Sequence, residues 1–447
     1  MQKKKTTWLI HIRQMLCLGI LSVALGVLLL TLVFCIPVET VKRHVIESSD
    51  SLLADVSEET GIGIQGYIRK NRETFTDAIM VQNAFERIEG KNPYEHAMWM
   101  YHLDLDEEVW TPEATLKYLS EGGASEGMFL HQYSRYWHGY LVYLKPLLLL
   151  FHLEQLLWLG AGLQVLLTLA LLLLTYKVRH PEVGFAVIIG LLFMKPVLML
   201  VSFDLTVCWL ITLAALFIIL LCHRRLVERE LYPEFFLMIG ILVAYFDFLT
   251  YPVVTLGFSL CAFFLMQGKD KFTDGVRVGV GQMLTYSACW ALGYVSMWAS
   301  KWVLADLTLR TGTIKSAFSS ILGWTEAIGG RPRFSGGFYV IGLNLGEYDS
   351  LIYPVMAVLL LLFDIAVFVW AWRRASMKSA VVCCVPYLFI ACLPFAWYIV
   401  VQHHSGLHIA FTFRNIGVAG LALGAAGFSL LRLGKKETEN ASANEES

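Results

Sequence analysis

Charge is what this chain has least of, and neither sign is in excess. Only 16% of its 447 residues are Asp, Glu, Lys or Arg, 35 basic against 36 acidic, where soluble domains carry about 25%. The near-zero balance excludes a polybasic nucleic-acid binder, so no nucleic-acid partner is expected. Proline numbers 12 and no tract is compositionally biased, which excludes a disordered or fibrous chain. Repeats of about 20–50 residues are missing, which excludes solenoids and propellers. Cysteine is missing from every polar segment: Cys17, Cys35, Cys208, Cys222, Cys261, Cys289, Cys383, Cys384 and Cys392 all lie within or at the ends of apolar runs. No disulfide framework or thiolate metal site is therefore expected between those runs.

Apolar runs are what the chain has instead: 57% hydrophobic residues and a mean hydropathy of +0.59. A helix crosses the hydrocarbon core with roughly 20 apolar residues. Met15–Ile36, Gln155–Thr175, Gly184–Phe203, Leu205–Cys222, Val278–Ser300, Leu351–Trp372, Ser379–Val401 and Asn415–Leu431 qualify. Phe235–Met266 is too long for one span and is broken by Asp247 and Tyr251-Pro252, so it reads as two short helices meeting at a polar corner. The expectation is an all-α, polytopic membrane protein of about ten crossings.

Lys and Arg collect in alternate short connections. Segments around Lys3–Arg13, Lys177–Arg179, Arg224–Arg229, Lys269–Arg277, Arg373–Lys378 and Arg432–Lys436 hold 18 of the 35 basic residues. All six fall on one side only for an even number of crossings, which predicts a plasma-membrane protein with both termini cytoplasmic. The basic start and its apolar run also fit a signal peptide. No small-x-small site follows Phe34, however, and Phe34 before Cys35 is wrong for a lipoprotein box, so a retained anchor is expected.

The resulting organisation is a cytoplasmic start and first crossing (1–36), a long exterior segment (37–150) and crossings two to seven (151–301). A second exterior segment (302–350), crossings eight to ten (351–433) and a polar tail (434–447) follow. The first exterior segment is too long for a mere connector. Glu39–Glu59 has an amphipathic pattern, Thr111-Pro112-Glu113 reads as a helix start, and Trp137–Phe151, interrupted by Lys145-Pro146, reads as a helix lying in the interface. Tyr133, Tyr136, Trp137, Tyr140 and Tyr143 suit the headgroup level. In the second segment Ile314–Ile328 is a candidate surface helix, and 329–346 is rich in glycine.

The polar residues of these exterior parts are the candidates for chemistry. Asp77, within Phe75–Met80, is an acid in a locally apolar stretch; partial desolvation suits a base, although a cap or solvated aspartate is the plainer reading. Arg135 and His138, within Ser134–Tyr140, could hold a phosphate beside aromatics, or merely anchor the interface. Lys195 lies inside a span, where charge is expensive, and Asp204 at the next outer turn could pair with it. Asp247 reads as a helix cap before a substrate ligand. His404 and His408 are four apart like a metal pair, but Gly406 weakens that helix and no carboxylate completes a set. The acidic run Asp104, Asp106, Glu107, Glu108 lacks a calcium loop's glycine and reads as a solvated face.

Taken together, Thr76–Met80, Tyr133–Tyr140 with Leu144–Leu148, Phe246–Pro252, Gly293–Trp302 and Trp397–Arg414 resemble the GT-C class of membrane glycosyltransferases. Closer still is a poorly characterised Gram-positive group of membrane proteins. The resemblance spans about residues 75 to 415. It implies transfer of a sugar from a polyprenyl-phosphate donor to an envelope acceptor outside the cell, with inversion. Asp77 would be the catalytic acid acting as base toward the acceptor. Arg135, His138, Lys301, His404, His408 and Arg414 would line the donor phosphate site, with Asp247, Lys195 and Asp204 supporting. Two positions depart from the class: Glu73 is only an approximate second acid, and Asp204 stands where an uncharged residue is expected. No cofactor is implied beyond the lipid-linked sugar, and dependence on a divalent metal stays open. A multi-pass transporter, a membrane acyltransferase and a non-catalytic envelope assembly protein are the rival classes.

Overall fold

An apolar run from Met15 onward makes most of the first helix, α1 (Gln2–Phe34), and Pro37 bars its continuation. The computed structural model describes residues 2–49, 72, 74–104, 118–119, 127–267, 276–326 and 330–445. Of the described residues, 81% are helical. Glu73, Asp106, Glu107, Glu108, Thr111-Pro112-Glu113 and the second half of Glu39–Glu59 lie outside the described residues.

The first polar segment is a small folded module rather than a set of surface helices. Helix α2 (Glu39–Glu47) buries Val41 and Val45, and α3 (Phe75–Phe85) is buried along almost its whole length. Helix α4 (Pro93–Trp99) opens on a capping box in which Asn92 and Glu95 satisfy each other's backbone amides, with Pro93 in the first turn. Strands β1 (Tyr101–Asp104) and β2 (Phe129–Gln132) then pair antiparallel, Tyr101 opposite Gln132. This ribbon amends the all-α expectation. Helix α5 (Leu141–Leu148) carries Pro146 inside it and closes the module. Trp137 and Tyr140, expected at the headgroup level, are fully buried, and Trp137 donates its ring N–H to Met297 O at 2.6 Å. Asp104, expected in solvent, is buried 3.6 Å from His102.

The chain continues as α6 (Leu153–Lys177), α7 (Pro181–Phe193), the short α8 (Pro196–Met199), α9 (Phe203–Glu228), α10 (Tyr232–Phe246), α11 (Val253–Met266) and α12 (Val276–Leu309). The second polar segment is helical too: α13 (Thr313–Thr325) matches the expected surface helix, and α14 (Arg333–Gly346) forms through the glycine-rich stretch. Glycine is used there for close packing, since a Cβ on Gly337 would strike Ile399. Helices α15 (Ile352–Arg374), α16 (Met377–Val400), α17 (Gln402–Leu407) and α18 (Ile409–Thr412), a 3-10 turn (Phe413–Ile416) and α19 (Gly417–Glu445) complete the chain.

Among the described residues, six helical stretches are long and apolar enough to cross a membrane: Trp8–Phe34, α6, α9, α15, α16 and Ile409–Lys435. The chain is a membrane protein. Helices α7, α10 and α11 are apolar but shorter.

Small residues set the tightest helix contacts, as they do where no hydrophobic force separates helix from lipid. A Cβ on Gly240 of α10 would strike the Trp290 carbonyl of α12, and one on Gly293 of α12 would strike the Leu237 carbonyl of α10. Helix α11, buried on nearly all sides, forms the centre with α9 and α19.

Candidate functional site

The first turn of α3 places Asp77 against the start of α9, and the two elements share one polar knot. Oδ1 of Asp77 accepts the backbone N–H groups of Phe203 (2.9 Å) and Asp204 (3.0 Å). Oδ2 faces the Ser202 hydroxyl and an Arg72 guanidinium nitrogen, each at 3.3 Å. A carboxylate from one helix thus caps another, where the free amides and the helix dipole favour negative charge. Asp204 adds a second carboxyl, held by Ser202 Oγ at 2.5 Å and the Leu205 amide at 2.7 Å. Asp77 is fully buried, and burial followed by the nearby Asp204 charge pushes its pKa up to about 7, against the pull of Arg72. A carboxyl poised there exchanges its proton at neutral pH.

Arg414 joins this knot from the turn Phe413–Ile416. It lines a closed cleft with Arg72, Leu198, Ser202, Asp204 and Phe411. Its guanidinium donates to Ala410 O and sits 4.5 Å from the centre of the Phe413 ring. Arg72 also borders an open cavity of about 700 Å³ beside α2 and the start of α6, lined by Glu47, Ser48, His152, Glu154, Gln155, Trp158 and Leu200. Arg72 therefore lines both the closed cleft that holds Asp204 and this cavity, whose lining mixes polar and apolar side chains. No motif around Arg72 marks it in the sequence; only the folded α3–α9 contact does.

The remaining expected phosphate ligands are occupied elsewhere. Lys301 is fully buried and donates to Ala97 O, the last turn of α4, with its ammonium 5.3 Å from the Trp137 ring centre. It pins the module to α12 through that carbonyl, away from the Asp77 knot. His138 takes a left-handed backbone (φ +55°), with Nε2 3.0 Å from Tyr133 O and Nδ1 3.2 Å from the Tyr140 hydroxyl. His404 Nε2 lies 3.0 Å from Leu249 O, and its ring is 4.7 Å from that of His408. Burial lowers His138 and His404 to about 3, and His408 to about 4. At these values the three rings are neutral at pH 7. Arg135 is half-buried; it reaches Ser320, while its carbonyl accepts the indole N–H groups of Trp298 (2.7 Å) and Trp302 (2.9 Å).

Around Arg135 the aromatic rings are layered. Trp298 stacks on Trp324 at 5.6 Å and 4°, and on Tyr136 at 6.0 Å and 28°. His404 links this aromatic group to the Asp77 knot, its ring 5.7 Å from that of Trp324 and 6.2 Å from that of Phe411, which lines the closed cleft. Asp77, Asp204 and Arg414 are thus brought together, and Arg135, His138, Lys301 and His404 are not among them.

Asp247 accepts the Thr250 amide at 2.9 Å and the Thr250 hydroxyl, closing the corner between α10 and α11. Lys195 sits at the α7–α8 break with φ +51°, donates to Glu347 O, and is ringed by Tyr348, Tyr353 and Phe413. The expected pairing of Lys195 with Asp204 is replaced by these contacts. A further charged residue in apolar surroundings, Asp364, lies at the middle of α15. Among the described residues, no three His, Cys, Asp or Glu side chains gather as a metal group.

Against known proteins, no family model, curated protein or solved structure matches the chain.

Proposed function

We propose that this chain is a membrane glycosyltransferase that moves a sugar from a polyprenyl-phosphate donor to an envelope glycan, lipid or protein acceptor on the exterior face. One observation carries the reading: a buried carboxyl poised near neutrality, Asp77, adjoins Asp204, Arg72 and Arg414 where the exterior module meets the membrane helices. In this reading α7 with α8, α10, α11 and α12 also cross the bilayer, giving ten crossings with both termini cytoplasmic.

The proposed reaction is a single displacement. The acceptor oxygen attacks the anomeric carbon as the bond from that carbon to the phosphate oxygen breaks. The lipid phosphate leaves with the bonding electron pair, and Asp77 takes the acceptor proton. Arg72 and Arg414 supply positive charge for the departing phosphate, a role for which guanidinium geometry is well suited. The cavity beside Arg72 offers the donor a way in from the lipid. The cleft between Arg72 and Arg414 is closed as it stands, so the donor must part them. Metal dependence is decided by the same assay with and without chelator.

The test is transfer of labelled sugar from polyprenyl phosphate by purified protein in liposomes. Transfer that disappears in Asp77→Asn while the protein stays folded supports the proposal. A second reading has its own support: the four donors around Asp77 already satisfy it as a helix cap, as expected in a non-catalytic envelope assembly protein. That reading predicts unchanged cellular glycan in Asp77→Asn.

A further inference from the structure

The carboxyl of Asp364 lies at the centre of a membrane-crossing helix, away from everything used above. Of the 23 residues of α15 it is the thirteenth, between Phe363 and Ile365 in an otherwise apolar stretch. Neighbouring faces of α15 are exposed to lipid: Leu361, Leu362 and Ile365 all stand open. Asp364 instead turns inward, and both of its oxygens are shielded without any hydrogen-bond partner among the described residues.

The fold has made room for this side chain. Oδ1 lies where a Cβ on Gly427 of α19 would come within 2.5 Å, so glycine is the residue that lets the carboxyl nest on the neighbouring helix. Among the described residues, the charged and titratable groups around it are few. On α16 the thiol of Cys384 is close enough to sense the carboxyl, with Cys383 beside it in sequence. On α19 the nearest charge is Arg432, five residues beyond Gly427 and about 7 Å further along the helix. Its guanidinium is taken by Glu182 and Leu265 O and lies 3.1 Å from His180. On α15 itself, Arg373 and Arg374 are more than two turns away.

Among the described residues, no cation therefore neutralises the group from any helix packed on it. A carboxylate at mid-span with no partner is the costliest arrangement a membrane protein can hold, and such residues mark ion and proton sites. The lone carboxyl also lacks the ring of further oxygens that a metal cation requires. We propose that Asp364 is a reversible proton-binding site inside the membrane, seated in the Gly427 notch between α15 and α19. The site is independent of the sugar-transfer reading.

The test uses the full chain in native membrane vesicles and the hydrophobic probe dicyclohexylcarbodiimide. A protonated carboxyl adds across the carbodiimide: its oxygen bonds to the central carbon and its proton passes to one nitrogen. The acyl group then shifts to nitrogen as a stable adduct that peptide mass spectrometry locates. The expected result is an adduct on Asp364 that is absent in Asp364→Asn and falls about tenfold per pH unit above its midpoint. No adduct at any pH, with other buried carboxyls labelled as a positive control, overturns the proposal. A yield that does not change with pH overturns reversible binding. Suppression by added sodium at fixed pH overturns it in favour of a metal-cation site.

Discussion

The amide of Asp204 donates to Oδ1 of Asp77 at 3.0 Å, so the residue whose charge raises the proton affinity of Asp77 also holds it in place. Capping and chemistry therefore share one carboxyl, and substitutions there should separate them. Asp77→Asn keeps an acceptor for the α9 amides but loses the ion pair with Arg72, and is expected to cost about 1 kcal/mol. Asp77→Ala strips the cap and leaves Arg72 buried without this partner, at about 3 kcal/mol or more. Thermal unfolding in detergent measures both. Equal losses would mean that the α9 amides do not depend on this oxygen.

The pH dependence of stability has a definite sign. Asp77 rises from its ordinary 3.8 to about 7 in the folded chain. Its proton-linked contribution is thus complete below pH 3.8 and disappears as the pH climbs through about 7. His138 and His404 act oppositely: each falls from 6.5 to about 3, so their contribution is present above pH 6.5 and lost on acidification. Melting temperatures of the wild type and Asp77→Asn between pH 5 and 8 should diverge, with the wild type losing more on the alkaline side. Parallel curves would place Asp77 in contact with water.

Lys301 and Arg414 should fail in different ways. Lys301→Met removes the tether to Ala97 O and lowers stability, while folded protein keeps its kcat/KM for a lipid-phosphate donor within about twofold. Arg414→Gln, beside Asp204 in the closed cleft, should lower kcat/KM by about tenfold or more at similar fold content. A reversed pattern would return Lys301 to the donor site.

Helix-scale features were legible in the sequence because lipid imposes them: the long apolar runs, the first of them from Met15 to Ile36, and the corner at Asp247-Phe248-Leu249-Thr250-Tyr251-Pro252 follow from length and hydropathy. Asp77 stood out as an acid in an apolar stretch, while Arg414 was singled out only by the family resemblance. The rest depended on tertiary contacts that no local pattern encodes. Tyr136, Trp137 and Tyr140 have headgroup-belt chemistry yet are buried in the core. His138 and His404 look like phosphate ligands until burial makes them neutral. Arg72 gains meaning only from its contact with Asp77 and from the cleft it shares with Ser202 and Asp204, far along the chain. The glycine-rich stretch 329–346 hid a helix for a related reason: Gly337 of α14 serves packing against Ile399 of α16, a partner that lies outside the local sequence.

The α10–α12 pair offers a test of the fold alone. Gly240→Ala and Gly293→Ala each place a methyl against a backbone carbonyl of the opposing helix, which cannot move away as a side chain can. Each should cost about 1–3 kcal/mol, whereas Gly160→Ala, with open space around it, should be close to neutral. Retained melting temperature in both α10–α12 variants would show that these helices are further apart.

The most direct measurement is single-turnover transfer of labelled sugar from polyprenyl phosphate in liposomes, run across pH 5 to 9 with wild type and Asp77→Asn. Sugar transfer is expected to rise through a midpoint near 7 in the wild type, as Asp77 becomes the free base, and to vanish in the variant. Equal transfer by both proteins, or none by a folded wild type given a range of lipid-linked sugars, would contradict the account.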